Sequence, residues 1–171
     1  NKGVSAALVA EILDLARGER TLRSLEAEFV QIPLAAARRL GLPDELVARL
    51  EAHDPERRQV LQVVRTVAAT PAAELLRPGD LLLSIDGQLV NRFDAMESLS
   101  QAEVVAVEVW RHDQALALSV PTVALGSGGV DRVVSWAGAV LQPPHRALAA
   151  QRSIEPTGVL VAFHAFGSPA S

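Results

Sequence analysis

The sequence predicts an α+β fold in which short apolar strands alternate with short amphipathic helices, and three observations predict it. The stretch from Glu74 to Val90, ELLRPGDLLLSIDGQLV, sets a Pro-Gly turn and Asp80 before the apolar run Leu81, Leu82, Leu83 and Ile85, then closes on Asp86-Gly87. That is a buried strand between two tight turns, the second of a composition that favours a type I′ hairpin. Upstream, Val60 to Ala68 is rich in β-branched and apolar residues and runs into Thr70-Pro71-Ala72-Ala73, which reads as a turn. Downstream, Phe93 to Ser100 reads as a short helix, ahead of strands from Val104 to Arg111 and from Ala115 to Val120.

The remaining elements follow in chain order. Ser5 to Arg17 carries Leu8, Val9, Ile12, Leu13 and Leu15 at helical spacing, with Ser5 as N-cap and Gly18 as the stop. Its apolar face can serve either a preceding domain or the same domain. Leu25 to Ile32 reads as a strand, and Pro33 to Leu40 as a helix ended by Gly41. A second helix, Pro43 to Ala52, places Leu46, Val47 and Leu50 on one face and ends at His53-Asp54-Pro55. Gly126-Ser127-Gly128-Gly129 reads as a linker.

Beyond that linker the chain repeats itself. Trp136 to Leu148 lies on Leu25 to Ala37 at an offset of 111 residues, matching Gln142 to Gln31 and Pro144 to Pro33. Val159 to Ala170 lies on Leu61 to Ala72 at an offset of 98. The 13-residue difference is about the length of the helix from Pro43 to Ala52, which the second copy lacks.

Composition narrows the function classes. At 171 residues, 49% hydrophobic and 21% charged, the chain is globular and can hold one domain of ordinary size, or one plus a fragment. Its net charge of −4 opposes nucleic-acid binding, which needs clustered Lys and Arg. No apolar run reaches the roughly 18 residues of a membrane span. With no cysteine there is neither disulfide nor thiolate chemistry, and the compartment stays open. His53, His112, His145 and His164 show no spacing that would hold a metal, so no metal or cofactor is expected. Arg38-Arg39 and Arg57-Arg58 are balanced by Glu45, Glu51, Asp54 and Glu56, as on a solvated helix surface.

A strand, an SPAA-like turn, the pattern L-x-x-G-D-hydrophobics-D-G, a helix and a final hairpin, in that order over about a hundred residues, resemble a PDZ domain of HtrA/Deg serine proteases. The resemblance is most specific to the C-terminal tandem PDZ-like units of the large fungal-type Deg proteases and their bacterial relatives. LEAEFVQIPLAAARRLGLPDELVARLE resembles the opening of their third unit, and WAGAVLQPPHRAL with PTGVLVAFHAFGSPA that of the fourth. The resemblance implies a PDZ-like, partly open barrel or sandwich of five to six strands with flanking helices, followed by a truncated second unit. The implied parts are a linker helix at 1–19, with LARGERTLRS leading in from a preceding protease-like domain, a PDZ domain at 20–125 with the helix 43–52 inserted, a linker at 126–132, and the start of a second unit at 133–171. A bacterial source would place it in the periplasm or cell envelope.

PDZ domains bind by strand addition, main-chain hydrogen bonds supplying affinity and pockets selecting side chains. By resemblance, Phe29, Val30, Gln31 and Ile32 would pair with the peptide, and Met96 with Leu99 or Ser100 would face it from the groove helix. Leu25, Glu26, Ala27 and Glu28 would form the turn that holds a terminal carboxylate, with Ala27 where the family has Gly. Two acidic neighbours oppose a carboxylate there by about 1 kcal/mol each near a surface. Trp136, Ala137, Gly138 and Ala139 form the corresponding turn of the second unit and keep the glycine. Phe29, Met96 and Leu99 read equally as plain core residues.

Partners implied are polypeptide segments or C-termini and the parent's own protease and PDZ domains, with homo-oligomerisation left open. Gly126 to Gly129 superficially matches a serine-protease nucleophile turn, but a spacer between two repeats explains it more simply. The expected role is a non-catalytic peptide-binding or regulatory module of a trypsin-like protease. The alternative is an assembly module whose groove is filled by its own chain or a neighbour.

Overall fold

The computed structural model describes residues 13, 17, 21–125, 132–145, 148–149, 152, 155 and 157–169. The expected helix from Ser5 to Arg17 falls almost wholly, and the linker Gly126 to Gly129 entirely, outside the described residues.

The strands of the first unit are β1 (Arg23–Ser24), β2 (Ala27–Pro33), β3 (Gln59–Thr66), β4 (Leu81–Ile85), β5 (Gln88–Leu89), β6 (Val104–Arg111), β7 (Gln114–Pro121) and β8 (Val123–Ala124). An antiparallel sheet runs in the order β2-β3-β4-β6-β7, with β5 folded back on β4, while β1 and β8 form a separate two-stranded ribbon. This is an open sheet with helices on its faces and no closed barrel.

Local chemistry explains the connections. Asp86 and Gly87 both have positive φ, 48° and 76°, as a type I′ turn requires, and they join β4 to β5. Thr70 to Ala73 is more than a turn: Pro71 starts a short helix, α3 (Pro71–Leu75), after α1 (Leu34–Arg39) and α2 (Asp44–His53). Gly41 ends α1 with φ 89°, its N–H donating to the Arg38 carbonyl and the Leu42 N–H to that of Ala37, each at 3.0 Å. Only glycine adopts that geometry without strain.

Both faces of the sheet are covered. Leu61, Val63, Leu82, Ile85, Val107 and Val109 point to one face, packed under α3 and α4 (Phe93–Leu99). Val60, Leu81 and Leu83 point to the other, covered by Leu34 and Ala37 of α1, Leu42, and Val47 and Leu50 of α2. The inserted helix α2 is therefore a lid on the sheet's second face. With cover on both sides, all five residues of β4 are buried.

Residues 132–169 contain a second, three-stranded sheet in the order β11-β10-β9: β9 (Val134–Trp136), β10 (Ala139–Gln142) and β11 (Leu160–His164). The repeat offsets carry β10 onto Glu28–Gln31 of β2 and β11 onto Gln62–Thr66 of β3. Each antiparallel pair contains a register shift near the start of its first strand. Several apolar side chains of this sheet are exposed, Trp136 at 67% and Phe163 at 61%.

Candidate functional site

β2 ends the sheet: β3 occupies one edge, and no strand among the described residues pairs with the other. The ladder decides which main-chain groups face outward. At its two ends, the Val67 N–H donates to the Glu26 carbonyl and the Leu34 N–H to the Arg58 carbonyl, both at 2.9 Å. Ala27 opposite Thr66 and Pro33 opposite Gln59 are therefore non-hydrogen-bonded pairs, in which both residues turn their own N–H and C=O away from the partner strand. Phe29 opposite Val63 is of the same kind, because Val63 donates its N–H to Asp80 and accepts at its carbonyl from Gly79. Ala27, Phe29 and Gln31 thus direct donor and acceptor pairs to the open edge, and Pro33 adds a carbonyl.

The side chains of β2 divide differently. Phe29 turns inward and is 8% exposed, part of the core beneath α4, whereas Val30 is 41% exposed. Glu28 forks onto Arg65 across the β2–β3 pair, Arg65 Nε to Glu28 Oε2 at 2.5 Å and Nη2 to Oε1 at 3.2 Å. That hydrogen bond holds the Arg65 guanidinium above its ordinary pKa. The Glu28 charge is therefore matched on the strand surface. No sequence signal pairs residues 28 and 65 until the register is known.

α4 flanks the pocket at the start of β2. Its half-buried Ala95, Met96 and Leu99 pack on the core beneath the sheet, so Met96 and Leu99 serve as core residues, and Met96 also lines the pocket. Ser100 caps the helix, is buried, and donates its hydroxyl to the Met96 carbonyl at 2.7 Å, so its own hydrogen is spoken for. The pocket measures about 280 Å³ and lies between the turn before β2 and the last turn of α4; its apolar wall comes from Leu22, Leu25, Ala27, Met96 and Leu125.

In the turn itself the left-handed residue is Glu26, φ 53°, and not Ala27, which already belongs to β2. Glu26 is buried, and its N–H donates to Ser24 Oγ at 2.9 Å. The same position of the second unit, Ala137, is also left-handed at φ 50°, and with Gly138 at 86° it makes a two-residue hairpin in which Trp136 opposes Ala139. A Cβ on Gly138 would stand 2.3 Å from Ser168 Cβ, so this glycine serves close packing. The second-unit turn is a tight hairpin tip.

Sequence reasoning missed Gln101 and Arg23. Gln101 Oε1 accepts the Arg23 N–H and Gln101 Nε2 donates to the Arg23 carbonyl, both at 3.0 Å, which ties the β1–β8 ribbon to the end of α4. Arg23 Nε and Nη2 donate to Thr122 Oγ1 at 2.7 Å and to the Thr122 carbonyl at 3.0 Å. A glutamine just past a helix and an arginine 78 residues away carry no local signature of such a contact. Among the described residues no group of three or more His, Cys, Asp or Glu could hold a metal ion, and no helix is long and apolar enough to cross a membrane.

An open antiparallel sheet whose edge strand borders a short helix, with a pocket between the start of that strand and the end of that helix, defines the PDZ-like class. No protein-family model matches the chain. The pro-apoptotic serine protease nma111 of Neosartorya fischeri is 33% identical over 153 residues, 87% of this chain and 15% of that protein. Protease Do-like 7 of Arabidopsis thaliana is 36% identical over 159 residues, 87% of this chain and 14% of that protein. A PDZ domain-containing protein of Schizosaccharomyces pombe is 34% identical over 148 residues, 86% of this chain and 15% of that protein. Among solved structures, the HtrA-type protease AlgW with a decapeptide shares the fold at a TM-score of 0.52 and 20% identity, over 72% of this chain and 36% of that one. The chain has a PDZ-like fold and is similar over most of its length to these serine proteases and to a PDZ domain-containing protein, and it spans about 15% of the length of the curated relatives it matches.

Proposed function

We propose that residues 21–125 capture extended polypeptide by adding it as a strand to the outer edge of β2, beside α4, as a non-catalytic module of an HtrA/Deg-type serine protease. The observation that carries this reading is the rim of outward N–H and C=O groups on Ala27, Phe29 and Gln31, which no described strand covers. A strand edge beside an apolar pocket supplies both parts of peptide recognition by β-augmentation. The HtrA-type structural neighbour is a complex with a decapeptide, which agrees with that chemistry.

The test uses a single proline. Gln31→Pro removes an outward N–H and leaves the β2–β3 ladder intact, since proline is tolerated on an edge strand. Val30→Pro removes an inward N–H and breaks the ladder. Binding of a decapeptide library, read by fluorescence polarisation, should fall at least about tenfold in Gln31→Pro while its melting temperature stays within a few degrees of wild type. Undiminished binding in a folded Gln31→Pro would sink the reading.

The exposed Trp136, Val161 and Phe163 of the second sheet favour a second role, in which that unit serves assembly with another part of the parent. Removing residues 133–171 then changes the oligomeric state or solubility and leaves peptide binding unchanged.

A further inference from the structure

The end of the groove shows what kind of polypeptide it suits. We infer that the pocket between the turn before β2 and the end of α4 takes an apolar side chain from an internal stretch of chain and gives no recognition to a terminal carboxylate. This rests on the peptide-capture reading and deepens it.

A bound carboxylate is held by two or three hydrogen-bond donors that have no other acceptor. At this end of the groove four residues have donors that are already committed. The Glu26 N–H, at the left-handed residue of the turn, donates to Ser24 Oγ at 2.9 Å. The Arg23 N–H donates to Gln101 Oε1 at 3.0 Å. Gln101 Nε2 donates to the carbonyls of Arg23 and Glu97, at 3.0 and 2.7 Å. The Ser100 hydroxyl donates to the Met96 carbonyl at 2.7 Å. Arg23 brings the cation of the lining, but its Nε and Nη2 are both turned onto Thr122. The Ala27 N–H faces outward and belongs to the rim on which an added strand pairs.

The lining and the volume agree with this count. Leu22, Leu25, Ala27, Met96 and Leu125 give the pocket an apolar wall beside the committed polar groups of Arg23, Ser24, Ser100 and Gln101. A volume of about 280 Å³ accommodates a leucine, methionine or phenylalanine side chain. A terminal carboxylate therefore meets spent donors at the Arg23 and Glu26 N–H groups, the Ser100 hydroxyl and the Gln101 amide, whereas an apolar side chain meets a complementary wall.

Matched decapeptide pairs test the inference. Each pair shares one sequence and ends in either a free carboxylate or a carboxamide, and the set scans Leu, Met, Phe and Asp through the positions along β2. In the wild type the two members of a pair should bind within about threefold of one another, and Asp in the pocket position should cost about tenfold. The double variant Ser24→Ala, Glu26→Gly releases a turn N–H onto a backbone that glycine adopts freely, and it should gain about fivefold for the free acid. Ser24→Ala alone, showing a smaller gain in the same direction, covers a double variant that fails to fold. A wild-type preference for the free acid above about threefold, or no gain in either folded variant, overturns the inference and leaves peptide capture standing. If neither member of any pair binds the wild type, peptide capture itself is wrong and the inference falls with it.

Discussion

The side-chain amide of Gln101 brackets the main chain of Arg23, accepting its N–H and donating to its carbonyl, each at 3.0 Å. A side chain thus does for β1 what a neighbouring strand would do, and Leu125 completes the ribbon by donating its N–H to the Leu22 carbonyl at 2.7 Å. Gln101→Leu removes both bonds and leaves the Arg23 groups facing an apolar wall. At about 0.5–1.5 kcal/mol per hydrogen bond the expected loss is about 1–2 kcal/mol in urea denaturation. Amide exchange at Leu125 should accelerate more than exchange at Leu82 or Val107 in the sheet core. A uniform change across both would mean that the clamp has no local role.

Asp80 and Arg111 form the most buried ion pair among the described residues, with side chains 1% and 12% exposed. Asp80 accepts from Arg111 Nε at 2.7 Å, from Nη2 at 2.5 Å and from the Arg77 N–H at 2.8 Å, and Arg111 Nη2 also reaches the Leu75 carbonyl at 2.7 Å. The acid after Pro78-Gly79 therefore closes its own turn and fastens it to β6. Arg111→Met leaves the Asp80 carboxylate buried without its cation, and the expected cost is about 3–5 kcal/mol. Replacing both, Asp80→Leu with Arg111→Met, should cost less than Arg111→Met alone, because no uncompensated charge is left. Midpoints of chemical denaturation for the two variants decide it; equal losses would show that the pair is not the source of the effect.

The sequence made the strands and turns legible wherever local chemistry dictates them. Leu81 to Ile85 is a strand because it is apolar on both faces, and Asp86-Gly87 turns because both positions need positive φ. The helix after Pro43 was also legible, but not the face it covers, since an amphipathic stripe does not name its partner. The groove was legible only through family resemblance, and its end was not. That Glu26 is buried, that Ser24 takes its N–H, and that Glu28 belongs to Arg65 follow from strand register, which a bulge between Glu28 and Phe29 shifts by one residue. Gln101 and Arg23 meet only once the whole domain has closed.

Asp94 opens α4 and is held by Arg92, whose Nε donates to Oδ1 at 2.9 Å and whose Nη2 donates to Oδ2. That bond holds the Asp94 carboxyl below its ordinary value of 3.8, against a smaller opposing effect of burial. A carboxyl lowered in the folded state adds stability that is complete above the unfolded value and is lost as pH falls through the folded one. The pair is half exposed, so the contribution is a few tenths of a kcal/mol. Arg92→Gln should move the Asp94 carboxyl midpoint, followed by NMR, upward towards 3.8 and flatten the acid limb of the stability curve. An unmoved midpoint would exclude Arg92 as the cause.

Leu50 carries the last prediction, because α2 covers one face of the sheet and its loss exposes what it covers. Leu50 and Val47 are buried against Val60, Leu81 and Leu83, so the second face of the sheet depends on them for its cover. Leu50→Ala opens a cavity in a site walled by strand side chains that cannot collapse inward, and the expected cost is about 2–5 kcal/mol. The α2 cluster lies on the opposite sheet face from the packing under α4, and that separation gives the test its specificity. Folded Leu50→Ala should bind peptide as the wild type does, while its urea midpoint falls and its unfolding slope is unchanged. Lost affinity in the folded variant would mean that the lid and the groove are coupled through the sheet, and would make α2 part of recognition as well as part of the core.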